Sequence, residues 1–286
     1  MYKKSFIKPI IIVIVLLIIV YTSVQLIFQS YKEIKSTFNF PSIVEDEVLI
    51  FINNGKKSEE IGNLGDLLSS KKWEKLSISN TKEITKYITT KNEWEVSNKN
   101  NITISKFQDM VINGLGVNKL LTKDGFFLGI NTLEWGGSLY FYPNGDKAKR
   151  YCVNDGYIWN VFRHNEGIYA FASYPSKNPP NGRILKLENW FGRWRSTEIF
   201  DIGEIPYCFT FAENENMYIV TNNKLIQLSS FKDKKVLIEN AFWEGMFPNS
   251  IVYDKGNLYI GMEGFITKIS LKSIKQKEFE VYKPVG

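Results

Sequence analysis

Phe126-Phe127-Leu128-Gly129-Ile130 is the first of four short apolar stretches that decide the fold of this 286-residue chain. Each stretch carries an aromatic residue, and the later three are Ile168-Tyr169-Ala170-Phe171, Met217-Tyr218-Ile219-Val220 and Leu258-Tyr259-Ile260-Gly261. The aromatic positions lie 42, 49 and 41 residues apart, at Phe127, Tyr169, Tyr218 and Tyr259. Short runs of β-branched and aromatic residues favour strands. The sequence therefore predicts a β-structure that repeats along the second half of the chain.

Three further apolar segments accompany each of these stretches and are separated from it by polar turns. First strands are predicted near 119–121, 158–162, 209–211 and 251–253, third strands at 139–142, 184–187, 225–228 and 265–269, and fourth strands near 150–151, 197–200, 236–238 and 279–282. The turns between first and second strands contain the Gly, Asn and Asp residues that tight hairpins need. Repeats of this length with four strands are typical of β-propeller blades, which we predict over 117–286.

This part of the chain resembles the broad group of β-propeller proteins with YVTN-like and BNR-like repeats. The resemblance rests on the strand spacing and strand pattern and not on a signature motif. One short stretch invites comparison with a known motif, namely Cys152-Val153-Asn154-Asp155-Gly156-Tyr157-Ile158-Trp159. That stretch is similar to the Asp-box of BNR repeats at Gly156 and Trp159, but Cys152, Asn154 and Ile158 depart from it. It also falls between two predicted blades, whereas an Asp-box belongs at a third-to-fourth turn.

An uncharged apolar run extends from Ile10 to Phe28. Nineteen residues at a helical rise of about 1.5 Å span close to the ~30 Å of a bilayer core, and in lipid only a helix satisfies this backbone. We therefore predict a transmembrane signal anchor at 9–29. The alternative is a cleaved signal peptide, but Tyr21-Thr22-Ser23 does not match the small-residue pattern of a cleavage site.

The charges around this run predict its orientation. Three basic residues and no acid precede it, namely Lys3, Lys4 and Lys8. The positive-inside rule then places residues 1–8 in the cytoplasm and the rest of the chain outside it. Residues 30–40 would form a juxtamembrane stalk that ends before Pro41. The expected location is a single-pass protein of the cell membrane with an extracytoplasmic domain.

Residues 41–116 follow the repeat less clearly. Val48-Leu49-Ile50-Phe51-Ile52 is typical of a buried strand, and 84–88, 94–96 and 102–104 are candidates for further strands. We predict a divergent N-terminal β region or first blade here. One such blade would make a ring of five, whereas six or seven blades would need a longer chain. The predicted fold class is all-β, a β-propeller of four to five four-stranded blades preceded by one transmembrane helix.

Composition excludes several classes of function. The chain has 36 Lys and Arg residues and 30 Asp and Glu residues, mixed along its length, which argues against nucleic-acid binding. The sequence contains one histidine, His164, and neither a zinc-spaced cluster nor a phosphate-binding glycine loop, so we expect no metal and no cofactor. The two cysteines, Cys152 and Cys208, would be buried thiols or, outside the cell, a single disulfide.

Candidate site residues are carboxylates and tryptophans in or beside predicted loops. Glycoside hydrolysis needs a pair of carboxyl groups, for which the candidates are Asp124, Glu134, Asp155, Glu166 and Glu244. Indole rings are suited to stacking on sugars or anchoring a partner, although blade aromatics also fill the space between sheets. The binding residues that we predict are Glu134, Trp135, Trp190, Trp194, Trp243 and Glu244.

Two functional hypotheses follow. The first is a membrane-anchored, non-catalytic binding or scaffold module for a protein or glycan ligand, because the sequence offers little catalytic chemistry. The alternative is a cell-surface carbohydrate-active enzyme whose carboxylates converge at the propeller mouth.

Overall fold

The computed structural model describes residues 58–63, 66, 73–78, 93–98, 102–107, 116–131, 136–144, 146–174, 181–276 and 279–284. The predicted cytoplasmic segment, anchor and stalk at 1–40 lie outside these residues, as do the strands predicted at 48–52 and 84–88. In the described part of the chain, no helix has the length and apolar character needed to cross a membrane.

The described residues form twenty β-strands and two single-turn 3-10 helices, Lys147–Lys149 and Ile274–Gln276. In chain order the strands are β1 (Ser58–Asn63), β2 (Trp73–Ile78), β3 (Glu93–Asn98), β4 (Ile102–Phe107), β5 (Gly116–Leu121), β6 (Gly125–Asn131), β7 (Gly137–Pro143), β8 (Tyr151–Asp155), β9 (Tyr157–His164), β10 (Gly167–Ser173), β11 (Gly182–Trp190), β12 (Arg193–Asp201), β13 (Pro206–Phe211), β14 (Met217–Thr221), β15 (Leu225–Ser229), β16 (Asp233–Ile238), β17 (Ser250–Asp254), β18 (Asn257–Met262), β19 (Phe265–Ser270) and β20 (Phe279–Pro284).

Four antiparallel four-stranded meanders make up the C-terminal half and confirm the propeller-like repeat. We call them repeat 1 (β5–β8), repeat 2 (β9–β12), repeat 3 (β13–β16) and repeat 4 (β17–β20). Every strand predicted for these repeats overlaps the observed one. The largest difference is β8, which continues to Asp155 instead of ending at Tyr151, because polar side chains mask its alternation in the sequence.

Both faces of the middle sheets are buried, which is why their second strands read as continuous apolar runs. In β10, Ile168 and Ala170 pack in a cluster with Phe127 of repeat 1, whereas Phe171 packs with residues of repeat 3. The same alternation in β14 turns Ile219 toward repeat 2 and its neighbours toward repeat 4. Each apolar cluster is therefore shared by two successive repeats.

The N-terminal β region differs from a regular four-stranded blade. Strands β1, β4 and β3 form a three-stranded sheet in that order. Strand β2 instead pairs antiparallel with β20 and becomes the fifth strand of repeat 4. The sequence predicts a divergent first blade at 41–116. In the described residues this region forms a three-stranded sheet and one further strand, β2, which belongs to the sheet of repeat 4.

Glu280 joins β2 to repeat 4. Its carboxylate accepts hydrogen bonds from Lys75 Nζ of β2 at 2.8 Å and from Lys268 Nζ of β19 at 3.1 Å, and also from the Tyr282 hydroxyl. Burial by itself would raise the pKa of Glu280, but the hydrogen bonds from Lys75, Tyr282 and Lys268 outweigh it and lower the pKa to about 2. The ionised carboxylate therefore stabilises the seam between β2 and β20.

This seam should make stability depend on pH in the acid range. Because the folded-state pKa of Glu280 is depressed, its contribution is fully present above the ordinary value of 4.5 and is lost as the pH falls toward about 2. We expect the wild type to lose more stability across this window than Glu280→Gln, measured by urea unfolding at a series of pH values. Glu74→Gln, which alters an exposed ion pair on the same strand β2, is the control and should keep the wild-type pH dependence.

A second prediction concerns the contact between repeats 1 and 2. A β-carbon added at Gly129 would lie 2.4 Å from Ile158 Cγ2. We expect Gly129→Ala to destabilise the fold by about 1–3 kcal/mol, because a packed core does not accept an extra methyl group without distortion. The free energy of unfolding in urea measures this. In an Ile158→Ala background the same change should cost little; an equal cost there would contradict the steric explanation.

Candidate functional site

Polar side chains cluster at the two ends of the repeats, because the sheet faces are buried. One end carries the connections between repeats and the turns between second and third strands, and we call it the link end. The other carries the turns between first and second and between third and fourth strands, and we call it the hairpin end. Antiparallel meanders separate these ends by the length of a strand, so one site cannot draw residues from both.

The predicted binding residues divide between these ends. Trp243 lies at the link end but is fully buried, and its Nε1 donates to the Thr221 carbonyl at 3.1 Å, so its indole is not available to a ligand. Glu244, next in the chain, is exposed, and one of its oxygens lies 3.4 Å from Asn222 Nδ2. Glu134 and Trp135 lie outside the described residues, in the segment that connects β6 to β7.

Trp190 and Trp194 both lie at the hairpin end, in the β11–β12 hairpin. Trp190 is 59% exposed. Trp194 is half-buried, packs edge-on against Phe127 at 5.0 Å and donates from Nε1 to Asp124 Oδ2 at 3.0 Å. Asn189 Nδ2 donates to the same oxygen at 3.2 Å. Asp124 therefore fixes the β11–β12 hairpin to repeat 1, and its bonding is structural.

Glu166 and His164 also lie at the hairpin end. Glu166 is an exposed turn residue. The imidazole of His164 stacks on Phe211 with ring centroids 3.9 Å apart, in the contact between repeats 2 and 3. In the described residues, no contact joins Glu166 or His164 to another of the candidate carboxylates.

Asp155, at the link end, is a carboxylate that is both exposed and hydrogen-bonded. This exposed residue ends β8, and its Oδ1 accepts hydrogen bonds from Cys152 Sγ at 3.0 Å and from Ser138 Oγ at 3.3 Å. Tyr140 lies on the same side of the sheet, and burial and the nearby Cys152 raise its pKa. The short β8–β9 connection brings the carboxylate to the start of repeat 2.

An aromatic ring lies against Gly156, the residue that follows Asp155. A β-carbon built on Gly156 would lie 3.2 Å from two ring carbons of Tyr174, so this ring covers the β8–β9 connection. Asn154 Nδ2 donates to the Tyr174 hydroxyl at 3.2 Å, and the guanidinium of Arg183 lies 5.5 Å from the ring centroid. Sequence analysis missed Tyr174, whose only signal was its position before a proline-rich insertion.

Two further polar groups occupy the link end. Glu204 accepts a hydrogen bond from Thr221 Oγ1 at 2.7 Å and pairs with Lys224, whose pKa this bond raises. Trp159 Nε1 donates to the buried Ser173 Oγ at 2.8 Å, and its ring meets Tyr207 edge-on. Burial raises the pKa of Tyr207. These groups satisfy one another and connect neighbouring repeats.

The two cysteines of the chain are separate thiols. Cys152 is half-buried and Cys208 is buried, and no disulfide joins them, so the disulfide alternative is wrong. Burial raises the pKa of the Cys208 thiol, which keeps it protonated and unreactive. The described ranges contain no group of three His, Cys, Asp or Glu side chains that could hold a metal ion.

Comparisons with known proteins give only distant structural likenesses. No family model and no curated protein matches this chain. A solved structure assigned as a gluconolactonase is 9% identical over 63% of this chain and 63% of that one, with a TM-score of 0.36. Virginiamycin B lyase from Staphylococcus aureus is 12% identical over 70% of this chain and 57% of that one, with a TM-score of 0.31. This chain therefore spans about three fifths of the length of either structure.

These comparisons correct the first functional hypothesis. Both structures are named as enzymes, and on this finding the expectation of a non-catalytic binding or scaffold module is wrong. TM-scores below 0.4 transfer no substrate and no residue role. An enzymatic role for this chain has to rest on the geometry of its own residues.

The structural role of Asp124 can be tested with Trp194→Phe, which removes the Nε1–H donor but keeps an aromatic ring against Phe127. We expect a loss of about 1–2 kcal/mol in the free energy of unfolding, because a hydrogen bond to a charged group is lost. Trp190→Phe, in the same hairpin but exposed, is the matched control and should change stability by less than about 0.5 kcal/mol. Asp124→Ala combined with Trp194→Phe should be less damaging than the sum of the two; strict additivity would contradict the assigned contact.

Proposed function

We propose that this chain is a cell-surface carbohydrate-active enzyme and that Asp155 is its acid–base carboxylate. A general acid or base must be reachable by substrate and held in one orientation. Of the candidate carboxylates in the described residues, Asp155 combines both properties. It is exposed, and its Oδ1 is fixed by the hydrogen bonds from Cys152 and Ser138. This oriented, accessible carboxylate is the observation that carries the proposal.

The surroundings of Asp155 favour a sugar as substrate. Sugar rings present apolar C–H faces that pack on aromatic side chains, and hydroxyl groups that need amide or guanidinium partners. The Tyr174 ring would supply such a face, with Asn154 hydrogen-bonded to its hydroxyl and Arg183, which also pairs with Glu198, over the ring. Their position beside Asp155 would bring a bound sugar to the carboxylate.

Glycoside hydrolysis needs a second carboxyl group, and we propose Glu134 for this role. Gly137 accepts a hydrogen bond from the Gly156 backbone N–H at 2.9 Å, directly next to Asp155. Glu134 precedes Gly137 by three residues, so chain connectivity keeps their Cα atoms within about 11 Å of each other. Two carboxyl groups in such enzymes lie about 5–9.5 Å apart. Trp135, the next residue, would then add a second ring for stacking.

The proposal keeps the topology that the sequence predicts. The run from Ile10 to Phe28 is apolar on every side and long enough to span a bilayer. It would serve as the anchor at 9–29, with 30–40 as stalk and the β domain outside the cytoplasm. The three-stranded sheet β1-β4-β3 would then be the fifth blade.

The experiment compares the full chain with Asp155→Asn and Glu134→Gln on a panel of cell-wall polysaccharides and aryl glycosides. Released reducing ends or the freed aryl group give kcat and KM. We expect each variant to lower kcat about 10²–10⁴-fold, because the amide keeps the shape but cannot transfer a proton. KM should change little, since binding groups remain.

The matched control is Asp201→Asn. Asp201 ends β12 as Asp155 ends β8, and its Oδ1 accepts from the Gly203 backbone N–H at 2.8 Å. This variant should keep the wild-type kcat. A wild-type protein that cleaves none of the glycosides, or an Asp155→Asn variant with unchanged kcat, would overturn the proposal.

A further inference from the structure

The tip of the β11–β12 hairpin exposes apolar rings that the fold does not use. Phe191 is 96% exposed and Trp190 is 59% exposed, and their ring centroids lie 5.8 Å apart. Nothing lies within 4 Å of a β-carbon built on the following residue, Gly192, so the tip projects from the molecule. Leu121, at the end of β5 on the same hairpin end, is 67% exposed. The hairpin end therefore presents a small apolar surface formed by Trp190, Phe191 and Leu121.

Phe191 is an unfavourable choice for the turn that it occupies. Phe191 has a φ of 49° and Gly192 a φ of 81°, so both central residues of this two-residue turn are left-handed. Such turns favour Asn followed by Gly, because bulky side chains resist positive φ. A phenylalanine here disfavours the turn, and the ring contact described for it is with the exposed Trp190 ring beside it. The fold buries almost none of this ring, which leaves it available for a contact outside the chain.

Cationic groups surround these rings. Arg193 and Arg195 are exposed, and neither forms an ion pair with an acid in the described part of the chain. The guanidinium of Arg195 lies 5.6 Å from the Trp190 ring centroid, and that of Arg193 lies 5.0 Å from the Tyr151 ring centroid. Lys123, in the turn after β5, is exposed as well. The apolar tip is therefore flanked by three basic side chains, with the acidic Glu188 opposite Arg195 in the β11–β12 register.

We propose that the hairpin tip docks on an anionic lipid bilayer, with Trp190 and Phe191 in the interface and Arg193 and Arg195 on lipid phosphates. Tryptophan and other aromatic rings prefer the headgroup region, and arginine binds phosphate through its planar donors. A protein partner would also bury the rings, but two unpaired arginines beside an inserted tip match the charge of a phosphate layer. This docking does not depend on Asp155 or on its activity.

The full chain incorporated into lipid vesicles provides the test. Vesicles contain phosphatidylcholine alone or with phosphatidylglycerol, and a fraction of the lipids carries bromine on the acyl chains to quench nearby indoles. We expect quenching of tryptophan fluorescence to be stronger with phosphatidylglycerol, and this extra quenching to disappear in Trp190→Tyr, which removes the reporter. Equal quenching in both vesicle types, or none that depends on Trp190, would overturn docking.

Phe191→Asn separates docking from folding. Asparagine suits the left-handed turn, so urea unfolding should show equal or greater stability, while the phosphatidylglycerol-dependent quenching should fall about tenfold with the loss of an inserted ring. The matched control is Phe247→Asn. Phe247 is 57% exposed and has a φ of 49°, but it lies at the link end, three residues after the acidic Glu244. Quenching unchanged in Phe191→Asn, or reduced equally in Phe247→Asn, would contradict the proposal.

Discussion

The structure depends on apolar packing between successive sheets, with each middle sheet buried on both faces. In β10, Ile168 and Ala170 face repeat 1 while Phe171 faces repeat 3, so one strand belongs to two cores. A side-chain period of two makes this possible, since neighbouring residues point to opposite faces. A repeat removed from this series would expose an apolar face on each neighbour, which is the physical reason that such repeats occur in arrays.

This burial restricts chemistry to the ends of the strands. Polar side chains on the buried faces are few. Ser173 accepts a hydrogen bond from the indole of Trp159, whereas the buried hydroxyl of Thr267 in β19 has no hydrogen-bond partner. At the link end the short β8–β9 connection brings Asp155 beside Tyr174. At the hairpin end the long β11–β12 hairpin carries exposed rings and arginines. The two ends thus carry the two proposed sites, one for a substrate and one for a lipid surface.

Strand β2 shows how the N-terminal region is tied to the array. It pairs with β20 across about two hundred residues of sequence, and Glu280 fixes this seam through Lys75 and Lys268. Its sequence, Trp73-Glu74-Lys75-Leu76-Ser77-Ile78, alternates like many edge strands. That alternation does not identify β20 as the partner of β2, because backbone hydrogen bonds between strands do not depend on side-chain identity.

The sequence by itself determined the strands of the four C-terminal repeats, because β-branched and aromatic runs and Gly-Asn-Asp turns act over a few residues, but it did not predict β1 or β2. It also identified Asp155 as one of several loop carboxylates, but it did not rank them. Only the tertiary structure shows that Trp243 is buried, that Asp124 accepts a hydrogen bond from Trp194, and that Tyr174 lies against Gly156. Those outcomes depend on which sheet packs against which, and contacts between residues distant in sequence leave no local periodic signal.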